Sequence, residues 1–381
     1  MFPPRGAPHQ VGCLAARKGA KRAWDRQLEY ASRMVTFHTR NLALIAIAIG
    51  GFLPSARAST IDAIYAFGDS LSDAGNVYAG SGGTIPGTPY VNGQFSNGPV
   101  WVEDLASALG LAPLSASLVG GSDYAYGGAE TGTTPVHTAN TSDLTGTTGQ
   151  VAQFQAAHPS ADPNALYTIW IGSNDLLDIL TGAAPSQYAA DITAAVANID
   201  SAIASLAADG AKNFLILTVP DLGATPEAIA GGPEVQFAAS ALAAEFDSAL
   251  ISGVDAIASL DSLNLSTLDT YSLLDTIVAN PSSYGFTNVT SPCVTGAIDY
   301  VGGTACASTL AAQNKYLFWD DLHPTEAGHA IVANAALAVV TPEPAYVSLI
   351  AVGLLAMGLV FRRPGSRGPS RYLSHVSKKP E

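Results

Sequence analysis

Apolar runs alternate with long alanine-rich stretches along the central part of the chain, from residue 59 to residue 341. Three runs rich in β-branched and aromatic residues predict strands over residues 61–67, 166–171 and 214–219. Two weaker runs, near 122–126 and 267–273, predict two further strands. The alanine-rich stretches predict helices over 98–109, 186–209, 233–258 and 325–339.

This order of elements predicts the fold class. Strands that are apolar throughout are buried on both faces, as in parallel sheets. Their alternation with long helices indicates βαβ units, and therefore an α/β fold: a three-layer α/β/α sandwich around a mainly parallel five-stranded sheet. The 283 residues from 59 to 341 are enough for one large domain with a single core. In such folds, functional residues gather at the carboxyl ends of the strands.

The N-terminal part of the chain is typical of a secretory signal peptide. Residues 41–53 (NLALIAIAIGGFL) form an apolar run after Arg40, and an A-x-A pattern ends at Ala58. We expect signal peptidase to cleave after Ala58. Counted from Met34, the signal has 25 residues, so we expect residues 1–33 to be an extension before the true start. An uncleaved N-terminal membrane anchor is the alternative.

The C-terminal part, residues 342–381, predicts a sorting segment. Pro-Glu-Pro at 342–344 precedes a mostly apolar stretch over 345–361 and then the pair Arg362-Arg363. Seventeen apolar residues are at the lower limit for a transmembrane helix. This order resembles the PEP-CTERM sorting signal, although the chain continues for eighteen residues after the arginine pair. The resemblance implies cleavage by an exosortase and release to the cell envelope or outside; a plain tail anchor is the alternative.

The central domain is strongly acidic. Between residues 59 and 341 the chain has 27 acidic residues and two basic ones, Lys212 and Lys315, which gives a formal charge of −25. Binding to nucleic acid depends on lysine and arginine side chains that neutralise phosphates, so this composition excludes it. Docking on anionic lipid headgroups is disfavoured for the same reason.

Two segments carry the parts of a catalytic triad. Ser70 stands in Gly-Asp-Ser-Leu, at the turn that ends the first predicted strand. A serine at such a turn projects its hydroxyl above the sheet as a nucleophile, although the same residue could cap a helix. Asp320 and His323 precede the last predicted helix and could supply the carboxylate and the base that a nucleophilic serine requires. Asp321 is a rival for the carboxylate.

Two other segments could stabilise an oxyanion. Gly127 and Gly128 follow a predicted strand, and glycine allows a backbone N–H to approach a ligand closely. Asn174 closes the strand predicted over 166–171 and carries an amide donor. Each segment taken alone is also an ordinary turn sequence.

Taken in order, these four segments resemble the GDSL, or SGNH-hydrolase, family of esterases and lipases, whose fold is flavodoxin-like. The resemblance extends over residues 61–335, and the phrases FGDSLSDAGN, NGQFSNGPVW and FWDDLHPTEAGH are similar to plant GDSL lipases and bacterial secreted esterases. It implies that Ser70 is the nucleophile, His323 the general base and Asp320 its orienting partner. It also implies an oxyanion hole made by the N–H groups of Ser70 and Gly128 and by the Asn174 amide. Gly128 is preferred to Gly127 because it precedes Ala-x-Thr.

The implied reaction is ester hydrolysis through an acyl-enzyme, with no metal or organic cofactor. The substrate would be a small-molecule, lipid or polysaccharide ester, and activity is expected to be lost below about pH 6, as the base becomes protonated. Acyl transfer and deacetylation of an exopolysaccharide are alternatives. A catalytically silent surface protein of the same fold is a third. A nucleotide-binding flavodoxin-like domain is disfavoured, because the domain has no P-loop lysine.

Two cysteines remain after the predicted cleavages. Cys293 and Cys306 lie in a loop rich in glycine and threonine, with twelve residues between them, whereas Cys13 falls in the removed segment. In an exported protein, two such cysteines are expected to form a disulfide. A pair of free buried thiols is the alternative.

Overall fold

The computed structural model describes residues 61–133, 145–261 and 263–341. The predicted signal peptide within residues 1–58 and the predicted sorting segment 342–381 lie outside the described residues. The boundaries proposed for these segments therefore remain predictions.

The centre of the domain is a parallel sheet. Its four strands, in the order β1-β2-β3-β4, are β1 (Ile64–Gly68), β2 (Leu166–Trp170), β3 (Asn213–Leu217) and β4 (Asn264–Leu268). All three pairings are parallel. Every residue of β2 and β3 is buried, as expected for strands covered on both faces.

The prediction of a fifth strand near 122–126 is wrong in one respect: this segment lies beside β1 but makes only isolated bridges. The N–H of Ala66 donates to the Ser122 carbonyl (3.1 Å), and the N–H of Tyr124 donates to the Ala66 carbonyl (2.7 Å). The ladder is interrupted at Gly68, because its N–H donates to the side-chain oxygen of Gln150 (2.9 Å), although its carbonyl still accepts from the Tyr126 N–H (3.1 Å). When this segment is counted as the second strand in chain order, the strands lie across the sheet in the flavodoxin-like order 2-1-3-4-5.

The strand predicted over 267–273 begins and ends earlier in the structure. β4 stops at Leu268, because the Asp269 side chain accepts a hydrogen bond from the N–H of Ser272 (2.8 Å) and caps a helix. The second half of the predicted strand is thus the start of a helix.

Helices cover both faces of the sheet. In chain order they are α1 (Asn76–Gly80), α2 (Trp101–Ala108), α3 (Thr147–Ala157), α4 (Ser173–Gly182), α5 (Tyr188–Ala208), α6 (Pro226–Gly231), α7 (Pro233–Asp261), α8 (Thr270–Ala279), α9 (Leu310–Gln313) and α10 (Glu326–Val340). The four predicted helices are confirmed as α2, α5, α7 and α10, within a few residues at each end. Helices α3, α4 and α8 were not predicted. A short hairpin, β5 (Val294–Thr295) and β6 (Thr304–Ala305), lies outside the sheet.

Two apolar cores confirm the three-layer arrangement. On one face of the sheet, Ile169 and Ile216 pack in a cluster that includes Phe154 of α3, Ile199 of α5 and Phe246 of α7. On the other face, the cluster contains Leu166 and Leu215 with residues of α2 and α10, among them Trp101, Leu105, Val332 and Ala336. Alternate residues of each strand therefore point into opposite cores.

Helix α7 is long and apolar enough to cross a membrane by length and composition, over Pro233–Ser259. No other helix in the described part of the chain meets that test. Leu242, Phe246 and Leu250 of α7 are buried in the core against α5. Packing in the core of this domain thus accounts for the apolar character of α7.

Candidate active site

Ser70 lies in the turn directly after β1. The N–H groups of Ser72 and Asp73 both donate to the Asp69 carbonyl, at 3.1 and 3.0 Å, and close the turn around Ser70. Gly68 is needed before it, because a Cβ there would lie 2.3 Å from the Trp170 carbonyl oxygen on β2. The Ser70 side chain is thereby held at the carboxyl end of the sheet.

The side chain of Gln150 on α3 holds the same turn from the other side. Its oxygen accepts from the Gly68 N–H (2.9 Å), and its nitrogen donates to the Gly68 carbonyl (2.8 Å). Gln150 is fully buried, and its oxygen takes the place of a neighbouring strand at the Gly68 N–H, whereas the Gly68 carbonyl also accepts from the Tyr126 N–H (3.1 Å). The sequence analysis did not single out this residue.

His323 and Asp320 come to Ser70 from the loop before α10. His323 Nε2 is 2.7 Å from Ser70 Oγ, and its Nδ1 is 2.9 and 2.8 Å from the two carboxylate oxygens of Asp320. The N–H of Trp319 donates to the His323 carbonyl (2.7 Å) and keeps the loop tight. Asp321 is exposed, and among the described residues it is Asp320 whose carboxylate lies within hydrogen-bond distance of the His323 ring, so geometry favours Asp320 over its rival.

Burial and charge act in opposite directions on this pair. Burial lowers the pKa of His323, but the adjacent Asp320 carboxylate outweighs it, and the net pKa is raised above 6.5. Burial raises the pKa of Asp320, but His323 and the backbone N–H groups outweigh it, and the net pKa is lowered. Asp320 is therefore an anion over the whole working pH range.

The two candidate oxyanion glycines differ in what their N–H groups do. The Gly127 N–H donates to Asp73 Oδ2 (2.8 Å), and a Cβ at Gly127 would lie 2.3 Å from the Phe95 ring. Gly128 has a left-handed φ of 78°, and within the described residues its N–H makes no hydrogen bond. Gly127 thus has a packing role, and the N–H of Gly128 is available to a ligand.

Asn174 stands in the first turn of α4, which begins directly after β2. Its Nδ2 donates to the Ala129 carbonyl (2.8 Å), next to the glycine pair. Ser70, Gly128 and Asn174 line the same cavity. The structure therefore brings together all the residues that the four sequence segments nominated.

A buried polar network joins the serine turn to the glycine turn. Asp73 accepts from the N–H groups of Asn76 and Val77 as well as Gly127, and Asp123 accepts from the Ala74 N–H (2.6 Å). The Asn76 amide donates to the Asp123 carbonyl (2.8 Å). These contacts fix the distance between the candidate nucleophile and the candidate oxyanion donor.

Asp69, next to Ser70, is a buried carboxyl with an unusual environment. Its Oδ1 accepts from the Leu71 N–H (3.0 Å), whereas its Oδ2 has no hydrogen-bond partner among the described residues. Burial raises its pKa to about 7.

The cavity next to Ser70 has a volume of about 120 Å³. Among the described residues that line it, Asp69 carries the one carboxyl group and His323 the one imidazole, and none is a lysine or arginine. Most other lining residues are apolar, and they include Leu273, Leu274, Ile277, Phe318 and Val332 from α8, α10 and the loop before α10.

The loop between the two cysteines packs beside His323. Cys293 and Cys306 form a disulfide, with their Cα atoms 4.7 Å apart, and hairpin β5–β6 lies between them. Tyr300 at the tip of this loop lies edge-on to the His323 ring, with centroids 5.6 Å apart.

Tyr90 is a further contact of this site that the sequence analysis missed. Its hydroxyl donates to Asp320 Oδ2 (2.8 Å), although the two residues are 230 positions apart in the chain. The only local signal was its position next to the NGQFSNGP loop, which provides Phe95 to the cavity.

The chain is similar to several known proteins. The family model described as GDSL-like Lipase/Acylhydrolase matches residues 64–336. The thermolabile hemolysin of Vibrio parahaemolyticus is 31% identical over 288 residues, covering 73% of this chain and 63% of the hemolysin. The phosphatidylcholine-sterol acyltransferase of Aeromonas hydrophila is 26% identical over 311 residues, covering 72% of this chain and 88% of that protein. A solved acetyl xylan esterase from Geobacillus stearothermophilus is 13% identical, with a TM-score of 0.38 over 75% of this chain and 98% of its own.

Proposed function

Because this chain belongs to the GDSL-like lipase/acylhydrolase family of serine esterases, we propose that it hydrolyses carboxylic esters through an acyl-enzyme on Ser70. The observation that carries this proposal is the hydrogen-bonded chain from Ser70 Oγ to His323 Nε2 and from His323 Nδ1 to Asp320. A nucleophile, a base and an orienting carboxylate in this order are the elements of serine hydrolysis.

In the proposed mechanism, His323 Nε2 accepts the Ser70 proton as Oγ attacks the ester carbonyl. The oxyanion accepts hydrogen bonds from the N–H groups of Ser70 and Gly128 and from Asn174 Nδ2. His323 then returns the proton to the leaving alcohol. Water, activated in the same way, releases the acid and regenerates Ser70.

The acyl group in this proposal is an aliphatic chain longer than acetyl. Support comes from the apolar lining contributed by α8 and α10, which an acetyl group would leave largely uncovered. Each buried methylene contributes about 0.8 kcal/mol. The absence of lysine and arginine from the lining and the charge of −25 on residues 59–341 both favour neutral or zwitterionic substrates.

Acyl transfer to an alcohol is the second candidate function. It is favoured by the similarity to a phosphatidylcholine-sterol acyltransferase, most of whose length this chain covers. Hydrolysis and transfer share the acyl-enzyme and differ only in the acceptor. Comparing free acid with transferred ester, in the presence of an added sterol or short alcohol, would separate them.

Export also belongs to the proposal. The apolar run before Ala58, the Pro-Glu-Pro segment and the disulfide all fit an exported protein that is processed by signal peptidase and an exosortase. N-terminal sequencing of the protein from its host should give Ser59. An N-terminus upstream of residue 58 would contradict cleavage.

A series of chromogenic esters from acetyl to palmitoyl tests the proposed function. We expect kcat/KM to rise with chain length until the cavity is filled, and Ser70→Ala to abolish activity on every ester. Ser252→Ala, at an exposed position on α7, is the matched control and should behave as the wild type.

A bulky side chain introduced inside the cavity tests where the acyl chain binds. Ile277→Trp would narrow the cavity and shift the optimum to shorter chains. Thr276→Trp, one residue away on the exposed face of α8, should leave the optimum unchanged. Equal rates on all esters in the wild type would contradict the assignment of an aliphatic acyl site.

A further inference from the structure

Asp320 is held by Tyr90 as well as by its loop neighbours Leu322 and His323. We propose that Tyr90 is a positioning residue of the catalytic triad. Its hydroxyl donates a hydrogen bond to Asp320 and thereby fixes the carboxylate that orients His323. This inference rests on the proposed function, because it assumes that His323 serves Ser70 as a base.

The donors to Asp320 are divided unequally between its two oxygens. Oδ1 accepts from the backbone N–H groups of Leu322 (2.9 Å) and His323 (2.7 Å). Oδ2 accepts from the Tyr90 hydroxyl (2.8 Å) and faces His323 Nδ1 at the same distance. Among the described residues, Tyr90 is thus the only group besides His323 itself that holds Oδ2. Without it, Oδ2 would be held only by His323 Nδ1, the group that Asp320 has to orient.

The Tyr90 ring is fixed independently of its hydroxyl. Its exposed fraction is 7%, and it packs edge-on against Trp319 and Tyr300, with ring centroids 6.3 and 6.0 Å away. These apolar contacts would survive replacement by phenylalanine. Tyr90→Phe therefore removes the hydrogen bond to Asp320 and little else.

The ionisable groups around Tyr90 keep its hydroxyl protonated. Burial raises the pKa of Tyr90 most, and the negative charge of Asp320 raises it further, with smaller contributions from Tyr300 and Asp321. His323 is the remaining neighbour of Asp320, and the carboxyl groups of Asp69 and Glu227 both act on the same histidine. Tyr90 is accordingly a hydrogen-bond donor at every working pH.

A donor at Oδ2 also tunes the base. By stabilising the carboxylate charge, the hydroxyl weakens the pull of Asp320 on the His323 proton. Its removal should raise the pKa of His323 and let the imidazole lose its alignment with Ser70. A purely structural tyrosine would change neither property once the protein is folded.

The test compares Tyr90→Phe with Tyr167→Phe in the full chain. Tyr167 is a buried tyrosine of β2 whose hydroxyl donates to the Asp162 carbonyl (3.1 Å), so it matches the loss of one buried hydrogen bond outside the cavity. We expect Tyr90→Phe to lower kcat by roughly tenfold with little change in KM, as for a hydrogen bond to a charged group. The acid limb of its pH profile should move to higher pH. Wild-type kcat and pH profile in a folded Tyr90→Phe protein would overturn the proposal.

A double-mutant cycle tests whether Tyr90 acts through Asp320. In an Asp320→Ala background, Tyr90→Phe should have no further effect on kcat, because its partner is gone. The same tenfold loss in that background would overturn the proposal. If Tyr90→Phe fails to fold, 3,5-difluorotyrosine at position 90 replaces it; this stronger donor should move the acid limb to lower pH, and an unmoved limb would overturn the proposal.

NMR titration of the His323 imidazole distinguishes failure of this inference from failure of the proposed function. A wild-type protein without Ser70-dependent esterase activity would refute the proposed function. The titration needs no substrate, and a higher pKa in Tyr90→Phe would still support the contact with Asp320. An unchanged pKa, together with an active wild type, would refute only the role of Tyr90.

Discussion

His323, the proposed base, is buried, and Asp320 is the neighbour that raises its pKa most. Burial alone would lower its pKa, but the Asp320 carboxylate raises it above 6.5. The neutral imidazole is the form that can accept the Ser70 proton, so raising the pKa moves the loss of activity to higher pH. The loss of activity that an ordinary histidine would give below about pH 6 is therefore expected at a higher pH.

We therefore predict that kcat/KM falls as pH decreases through a value above 6.5. Rates on a neutral ester, whose own ionisation does not change, should be measured from pH 5 to pH 9. A rate that stays constant down to pH 5 would exclude His323 as the base.

Asn174 provides a second prediction about a single side chain. If its amide stabilises the oxyanion, Asn174→Ala should lower kcat by about 10²–10³-fold, with a smaller effect on KM. Asn280→Ala, at an exposed site after α8, is the control and should retain wild-type kcat. A loss confined to KM would assign Asn174 to ground-state binding instead.

The end of β1 depends on a side chain from a helix. Gln150 of α3 accepts from the Gly68 N–H in place of a neighbouring strand and donates to the Gly68 carbonyl, which also accepts from the Tyr126 N–H. This interruption leaves the segment 122–126 with isolated bridges only. The turn carrying Ser70 thus has its support from α3.

We predict that Gln150→Leu lowers both stability and activity. The buried N–H of Gly68 would lose its partner, at a cost of about 1–3 kcal/mol, whereas the Gly68 carbonyl would keep its hydrogen bond from the Tyr126 N–H. Thermal unfolding and ester hydrolysis should both be measured. Gln155→Leu on the same helix, which loses side-chain contacts to Ser205 and Asp209, should lower stability without a comparable loss of kcat. Equal kcat for the two variants would contradict a role for Gln150 at the Ser70 turn.

The strands and the four site segments could be predicted because their signals are local. Ser70 and His323 are 253 positions apart, yet each stands in a short segment whose residue types and order resemble one family. Contacts made by generic residues could not be predicted. Tyr90 and Gln150 are informative only through partners distant in the chain, and the hydrogen bond that Gly127 donates to Asp73, which sets it apart from Gly128, is likewise a long-range contact.

Carboxyl groups lie in the interior of the domain as well as on its surface. Burial raises the pKa values of Asp69, Glu103 and Asp247 to about 7. Carboxyl groups in the unfolded chain titrate near pH 4, so the folded state binds protons more tightly. The stability that these groups contribute is present at low pH and is lost as pH rises through about 7. His329, whose pKa is lowered to about 3 by burial, acts in the opposite sense, but only below pH 6.5.

We therefore predict that the melting temperature decreases between pH 6 and pH 8.5, while esterase activity increases over the same range. Calorimetry at the two pH values would check the first half. Asp247→Asn, which removes one buried carboxyl outside the cavity lining, should reduce the decrease. A melting temperature that rises with pH would contradict this account of the buried carboxyls.

Covalent labelling tests the central claim most directly, because it asks only whether Ser70 is an activated nucleophile. The full chain should be treated with a fluorophosphonate, and the modified residue located by peptide mass spectrometry. We predict a single adduct on Ser70, absent in Ser70→Ala and strongly slowed in His323→Ala. A folded wild-type protein that takes no label, or takes it on another serine, would contradict the assignment of the catalytic site.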